Sequence, residues 1–177
     1  MSAEPDLASV AALAGHWAAD TTACTATFQV RDKLVTTVRG SFPVTGGSAV
    51  VRPDGDIGGS WVELDVAGVA TGNARRDRDL HKPTFLHLDD HPVVRVEIER
   101  AALASHGWTG GGVVRARGEQ APVDLTVVLL ERRADEVRAK VTGKLDRRPL
   151  GIRVPSLVIG RFLDLDVELT LRRVDRQ

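Results

Sequence analysis

The chain has 177 residues and a mass of 19.1 kDa, with 42% apolar and 27% charged residues, enough for one domain with its own core. Its 24 Lys and Arg balance 24 Asp and Glu, and three Trp, four Phe and no Tyr make up the aromatics. That excludes bulk nucleic-acid binding and a ring-lined stacking surface, and the single cysteine, Cys24, excludes an intrachain disulfide or a Cys-rich zinc framework.

Residues 1–16 read as an N-terminal extension carrying a short helix. Leu7, Val10, Ala11 and Leu13 or Ala14 share one side at helical spacing, with Asp6 as N-cap and Gly15 as stop. Glu4 and Asp6 precede a short apolar stretch and no Lys or Arg does, unlike a secretory leader or a membrane span. The expectation is a cytoplasmic protein that does not span a membrane.

From Trp17 the pattern turns to period two, and most of the 24 Val fall in strand-like runs. Thr25–Val30 sets Ala26, Phe28 and Val30 against Thr25, Thr27 and Gln29; Lys33–Phe42 puts Val38, Gly40 and Phe42 on one face. Trp61–Val66 alternates Val62, Leu64 and Val66 with Trp61, Glu63 and Asp65, and Val93–Glu99 sets Val94, Val96 and Ile98 against Arg95, Glu97 and Glu99. Val123–Leu129 and Phe162–Leu171 follow the same rule, the latter with Leu163, Leu165, Val167, Leu169 and Leu171 on one side. Between them, Thr45-Gly-Gly-Ser, Arg52-Pro-Asp-Gly-Asp, Gly58-Gly, Gly107 and Gly110-Gly-Gly read as turns. Many short alternating strands with such turns predict an all-β fold, an antiparallel barrel of about eight strands closed to remove its edges, over residues 17–173.

Thr71 to Pro92 breaks the alternation and is dense in charge, with Leu80, Phe85, Leu86 and Leu88 as its few apolar anchors. A long irregular stretch inside a barrel is usually functional or a structured cap. A helical turn over Arg75–His81 turns Leu80 inward and leaves the charges outside.

Candidate chemistry in the chain is thin. His87 and His91 have metal-ligand spacing, but Pro92 argues against a helix there; with His16, His81 and His106 they read as surface histidines, and no metal or cofactor is expected. Asp77, Asp79 and His81 could make an acid–base cluster, yet carboxylates among Arg75, Arg76, Arg78 and Lys82 read more simply as a salt-bridged cap. Cys24 has no flanking base and reads as an inert wall residue. Arg132-Arg133 and Arg147-Arg148 read as solvated doublets balanced by nearby acids.

The motifs resemble the YceI family of lipid- or polyisoprenoid-binding barrels. Trp17-Ala-Ala-Asp20 is similar to its W-x-x-D opening, and Phe28-Gln-Val-Arg31 with Val38-Arg-Gly-Ser-Phe42 to its F-x-V-R…V-x-G-x-F block. Thr71-Gly-Asn73, Arg76-Asp77, Leu80, Phe85 and Pro92 fall on its T-G-N-x-x-R-D-x-H-L…F…P signature, and Gly118, Pro122-Val123 and Leu125 on its G-x-x-x-P-V-x-L strand. The chain departs from the pattern at polar positions. Ala23-Cys24 stand for the family's His-Ser, Asp79 for its His, Thr84 and His87 for acids near its Phe, and Leu150-Gly151 for its D-F-G. The resemblance implies an extended, lipocalin-like antiparallel barrel that holds an isoprenoid, quinone or other long-chain lipid.

A closed barrel with a Val- and Leu-rich inner face and no catalytic constellation suits an apolar, elongated ligand. The candidate wall is Phe28, Val30, Val38, Phe42, Val62, Leu64, Val94, Val96, Leu125, Val127, Leu163, Leu165 and Val167, with Leu80 and Phe85 closing one end. Periodicity does not distinguish an open cavity from a filled core. Two rival readings stay open: an enzyme that uses the barrel as a substrate cavity with Asp77, Asp79 or His81 as acid–base groups, and a module whose cap contacts a protein partner, including a second copy in a homodimer.

Overall fold

A single antiparallel ladder runs around the molecule and meets itself. The structure, a computed structural model, describes residues 10–32, 37–105, 107–152 and 159–174. The strands are β1 (Gly15–Ala19), β2 (Thr25–Asp32), β3 (Thr37–Phe42), β4 (Val44–Val51), β5 (Trp61–Asp65), β6 (Val93–Ala104), β7 (Gly107–Ala116), β8 (Glu119–Arg132), β9 (Glu136–Asp146) and β10 (Ile159–Arg173), with one short helix, α1 (Ala74–Leu80), among the described residues. Their order is β1-β4-β5-β6-β7-β8-β9-β10-β2-β3, and pairing of β1 with β10 closes the ring.

Two of the staves are broken strands. β1 and β2 both pair with β10, through Trp17↔Arg173 and Phe28↔Leu165, and a single 3-10 turn at Thr21–Ala23 separates them. Asp20 causes the break: its Oδ1 accepts from the Thr22 backbone N–H (3.2 Å) and hydroxyl (2.6 Å), as an N-cap does. β3 and β4 are parted by Pro43, which has no N–H to give a ladder. Each broken strand counted once, the barrel has eight staves.

The inward faces follow the alternation. Ala26, Phe28 and Val30 on β2, Val62 and Leu64 on β5, Val94, Val96 and Ile98 on β6, and Val123, Leu125 and Val127 on β8 are all buried. One end of the lumen is tightly packed. Val10 and Leu13 are 1% and 3% exposed, Trp17 Nε1 donates to the Leu13 carbonyl at 2.9 Å, and Trp108 Nε1 donates to the Gly55 carbonyl at 2.7 Å. Of the expected N-terminal helix, Val10 and Ala11 are helical; Asp6, Leu7 and the residues to 9 lie outside the described residues, as do 33–36 of the expected strand Lys33–Phe42 and His106.

Two readings of glycine are corrected. Thr45-Gly-Gly-Ser lies within β4, with a bulge between Val44 and Gly46. Gly110-Gly-Gly lies within β7, paired with β6 on one side and β8 on the other. A Cβ on Gly110 would stand 2.0 Å from the Arg100 carbonyl oxygen, and one on Gly112 would stand 2.2 Å from that of Glu97. β6 bulges between Ile98 and Arg100 here, so its backbone presses onto β7. Gly110 and Gly112 mark that close approach instead of a turn. No helix of the described residues is long and apolar enough to cross a membrane.

Candidate ligand cavity

The opposite end of the barrel is covered by the segment from Val66 to Pro92. Thr71 anchors it. The Thr71 backbone N–H and hydroxyl both donate to Asp77 Oδ1, at 2.9 and 2.5 Å, and the hydroxyl oxygen accepts from Arg76 Nε at 2.9 Å. Arg76 also donates to the Thr71 carbonyl at 2.9 Å, while the Asn73 side chain caps α1 by accepting from the Arg76 N–H at 3.0 Å. The Thr-Gly-Asn…Arg-Asp run is thus a self-contained clasp. Bridging of Ser41 to Ala70, with both backbone hydrogen bonds made, ties it to β3.

Beneath this cap the lumen holds a cavity of about 350 Å³. Its wall includes Phe28, Val30, Val38, Phe42, Leu64, Val94, Val96, Leu163, Leu165 and Val167, and its roof Leu80 and Phe85, all residues expected for the ligand wall. Val62, Leu125 and Val127 point into the lumen too, but at the packed end, where they border a separate space of about 90 Å³. The Phe28 ring sits against Gly40, where a Cβ would collide with its Cζ and Cε1, and lies tilted to the Phe42 ring with centroids 5.3 Å apart. A wider recess of about 950 Å³ lies on the outer face, but Gln29, Arg39, Asp124, Lys144, Asp164 and Asp166 line it and bulk water fills such a surface.

Several lining residues escaped the sequence reading: Ala26, Leu86, Val114, Ala116, Leu145, Leu150, Ile152 and two polar or charged groups, Thr71 and Arg147. Arg147 corrects the expectation of a solvated doublet, since it is only 4% exposed. Nε donates to the Gly160 carbonyl (3.0 Å) and Nη1 to that of Ile152 (2.6 Å), so backbone oxygens replace the lost hydration. Burial pulls its pKa below the ordinary arginine value, and Asp146 pushes the other way; the group stays cationic at neutral pH. Arg76, half-buried, also borders the cavity, and so does Asp79, whose side chain is 42% exposed.

The acid–base candidates are each engaged. Asp77 accepts from Thr71, and His81 Nε2 sits 3.0 Å from the Val66 carbonyl. The Lys82 ammonium, 2.7 Å from Asp79, holds that carboxyl below its usual range, the reverse of what a neutral-pH acid requires. His87 pairs with Asp90 at 3.1 Å and packs edge-on to His91. Among the described residues no group of three or more His, Cys, Asp or Glu is placed to hold a metal ion. Cys24 is half-buried with Sγ donating to the Asp20 carbonyl at 3.0 Å, and burial pushes its thiol pKa up, away from a nucleophile's.

Comparison with known proteins places this geometry. The family model described as YceI-like domain matches residues 17–172. Among solved structures, the chain resembles BcnA of Burkholderia cenocepacia (TM-score 0.70, 10% identity, covering 86% of this chain and 98% of that one). It also resembles a polyisoprenoid binding domain from Saccharophagus degradans implicated in plant cell wall breakdown (0.65, 12%, 89% and 98%) and the YCEI protein of Campylobacter jejuni (0.71, 14%, 80% and 88%). At these identities the likeness carries the fold. A search of curated proteins finds no match. With the family's domain spanning nearly all of the barrel, from Trp17 to Arg172, the chain belongs to the YceI-like family.

Proposed function

We propose that this protein binds and carries a long-chain apolar ligand, an isoprenoid or similar lipid, in the cavity beneath its cap, and performs no chemistry on it. The observation that carries the reading is the cavity of about 350 Å³, walled by aliphatic side chains and roofed by Leu80, Phe85 and Leu86. A volume in this range, mostly apolar with a few convergent polar groups, is what a small-molecule site requires. The similar fold of the polyisoprenoid binding domain from Saccharophagus degradans points the same way.

Burial of about a dozen methylenes at roughly 0.8 kcal/mol each gives about 10 kcal/mol. Association costs of at least about 4 kcal/mol leave a Kd of tens of micromolar at the tightest. Because that term has no direction, the wall sets tail volume and leaves head-group choice to the polar groups near the roof. The absence of chemistry is inferred from Asp79, the carboxylate of the cavity lining, whose charge is fixed by Lys82.

Val94→Trp and Leu165→Trp put an indole into the space the tail would occupy. Native mass spectrometry of lipid-loaded protein should show a retained adduct in the wild type and none in either folded variant. Undiminished retention in both would sink the proposal. Asp79→Asn should leave retention unchanged.

A further inference from the structure

The lumen is not one tunnel. The cap-side cavity and the smaller space at the packed end share one lining residue, Val96. The boundary between them crosses β5 between Leu64 and Val62, and β10 between Val167 and Leu169. Val62 stands directly opposite Val96 in the β5–β6 ladder, so this pair lies on the dividing layer. Behind it Trp17 and Trp108, both 2% exposed, fill the lumen and are pinned by their indole hydrogen bonds.

Resting on the reading of the cap-side cavity as a lipid site, we infer that the barrel buries only about 10 to 15 carbons of a tail, whatever its length, and that the layer at Val62 and Val96 is the ruler. At roughly 30 Å³ per water-sized volume, the cap-side space of about 350 Å³ holds about a dozen non-hydrogen atoms. A two- or three-isoprene chain fills it. A longer tail must displace the pinned indoles or leave its surplus in water, and neither gains affinity. Opening the layer adds the space of about 90 Å³, room for roughly three more carbons.

Prenyl alcohols of 10, 15, 20 and 40 carbons are the probes, with affinity read by competition against a fluorescent fatty acid bound to the full chain. Each buried methylene is worth about fourfold. Affinity should therefore rise about tenfold or more from 10 to 15 carbons and then change less than about threefold. The Val62→Ala/Val96→Ala double variant should move the plateau to longer tails, and Ala116→Leu, which narrows the cap-side half, should move it to shorter ones. Circular dichroism establishes that each is folded; should the double variant fail to fold, Ala116→Leu decides. A wild-type affinity that climbs steadily to 40 carbons, or a plateau that neither variant moves, overturns the ruler while leaving the lipid-binding reading standing. No binding at any length overturns both.

Discussion

The two ends of this barrel use the same alternation of aliphatic side chains and reach opposite outcomes. At the end nearest the N-terminal segment, Val10, Leu13, Trp17 and Trp108 interlock and leave about 90 Å³; beneath the cap, the same kind of wall encloses about 350 Å³. Ring volume makes the difference. Both buried Trp rings sit at the packed end with their N–H groups satisfied, whereas the cap side has Ala26, Ala116 and Gly40 at inward positions, and its Phe28 ring sits against the glycine. Stability is thereby concentrated in one half and vacancy in the other, a division suited to holding a ligand without loosening the fold.

The sharpest break of that contrast is Trp108→Ala. Loss of the ring and of its bond to Gly55 should cost about 3–5 kcal/mol in denaturant unfolding while a protein that still folds keeps its lipid. Equal loss of stability and of binding would deny that the halves are separate. Gly40→Ala comes next. The new Cβ drives the Phe28 ring off its seat, which should cost about 1–3 kcal/mol and weaken lipid binding, read by melting and by competition. Thr71→Val removes one donor to Asp77 and the acceptor for Arg76, at about 1–2 kcal/mol. Hydrogen exchange should speed up over Thr71–Leu80, with the amides around Trp17 and Trp108 unchanged.

The smallest effect is a pH dependence. The Arg161 side chain, bonded to Asp146 at 2.9 and 2.8 Å, holds that carboxyl down at about 2 from an ordinary 3.8. A folded-state pKa below the unfolded one stabilises the fold above pH ~4, and that contribution fades as the pH falls from about 4 to about 2. The pair is in part solvent-screened, so less than about 1 kcal/mol is at stake. Unfolding of Asp146→Asn across this window should lack that component of the slope.

The face assignments were legible because each depends on local parity alone: Leu163 through Leu171 and Val94 through Ile98 lie inward as their alternation requires. What was hidden had a competing local signal. Gly46, Gly47 and Gly110–Gly112 look like turns, and a sequence carries no trace of the neighbouring backbone that presses on Gly110 and Gly112. β9 went unread, although Val137, Ala139, Val141 and Leu145 alternate with charged and polar residues, because Gly143 interrupts the pattern and the strand opens among arginines. Parity also put Arg147 on the inner side two residues after Leu145, but arginine is so seldom buried that composition outweighed it. Whether the lumen was open or filled depends on which strands carry Trp at the same level, a matter of register that the strands do not show singly.

Methyl NMR compares the two halves directly, because the aliphatic wall places reporters in both. Titration of a 15-carbon prenyl alcohol into protein labelled at Ile, Leu and Val methyls should shift Leu64, Val94, Leu145, Leu163, Leu165 and Val167 and leave Val51, Leu129, Val137 and Leu169 in place. Shifts spread equally over both sets, or confined to the outer face, or absent throughout, would contradict a lipid site in the cap-side half.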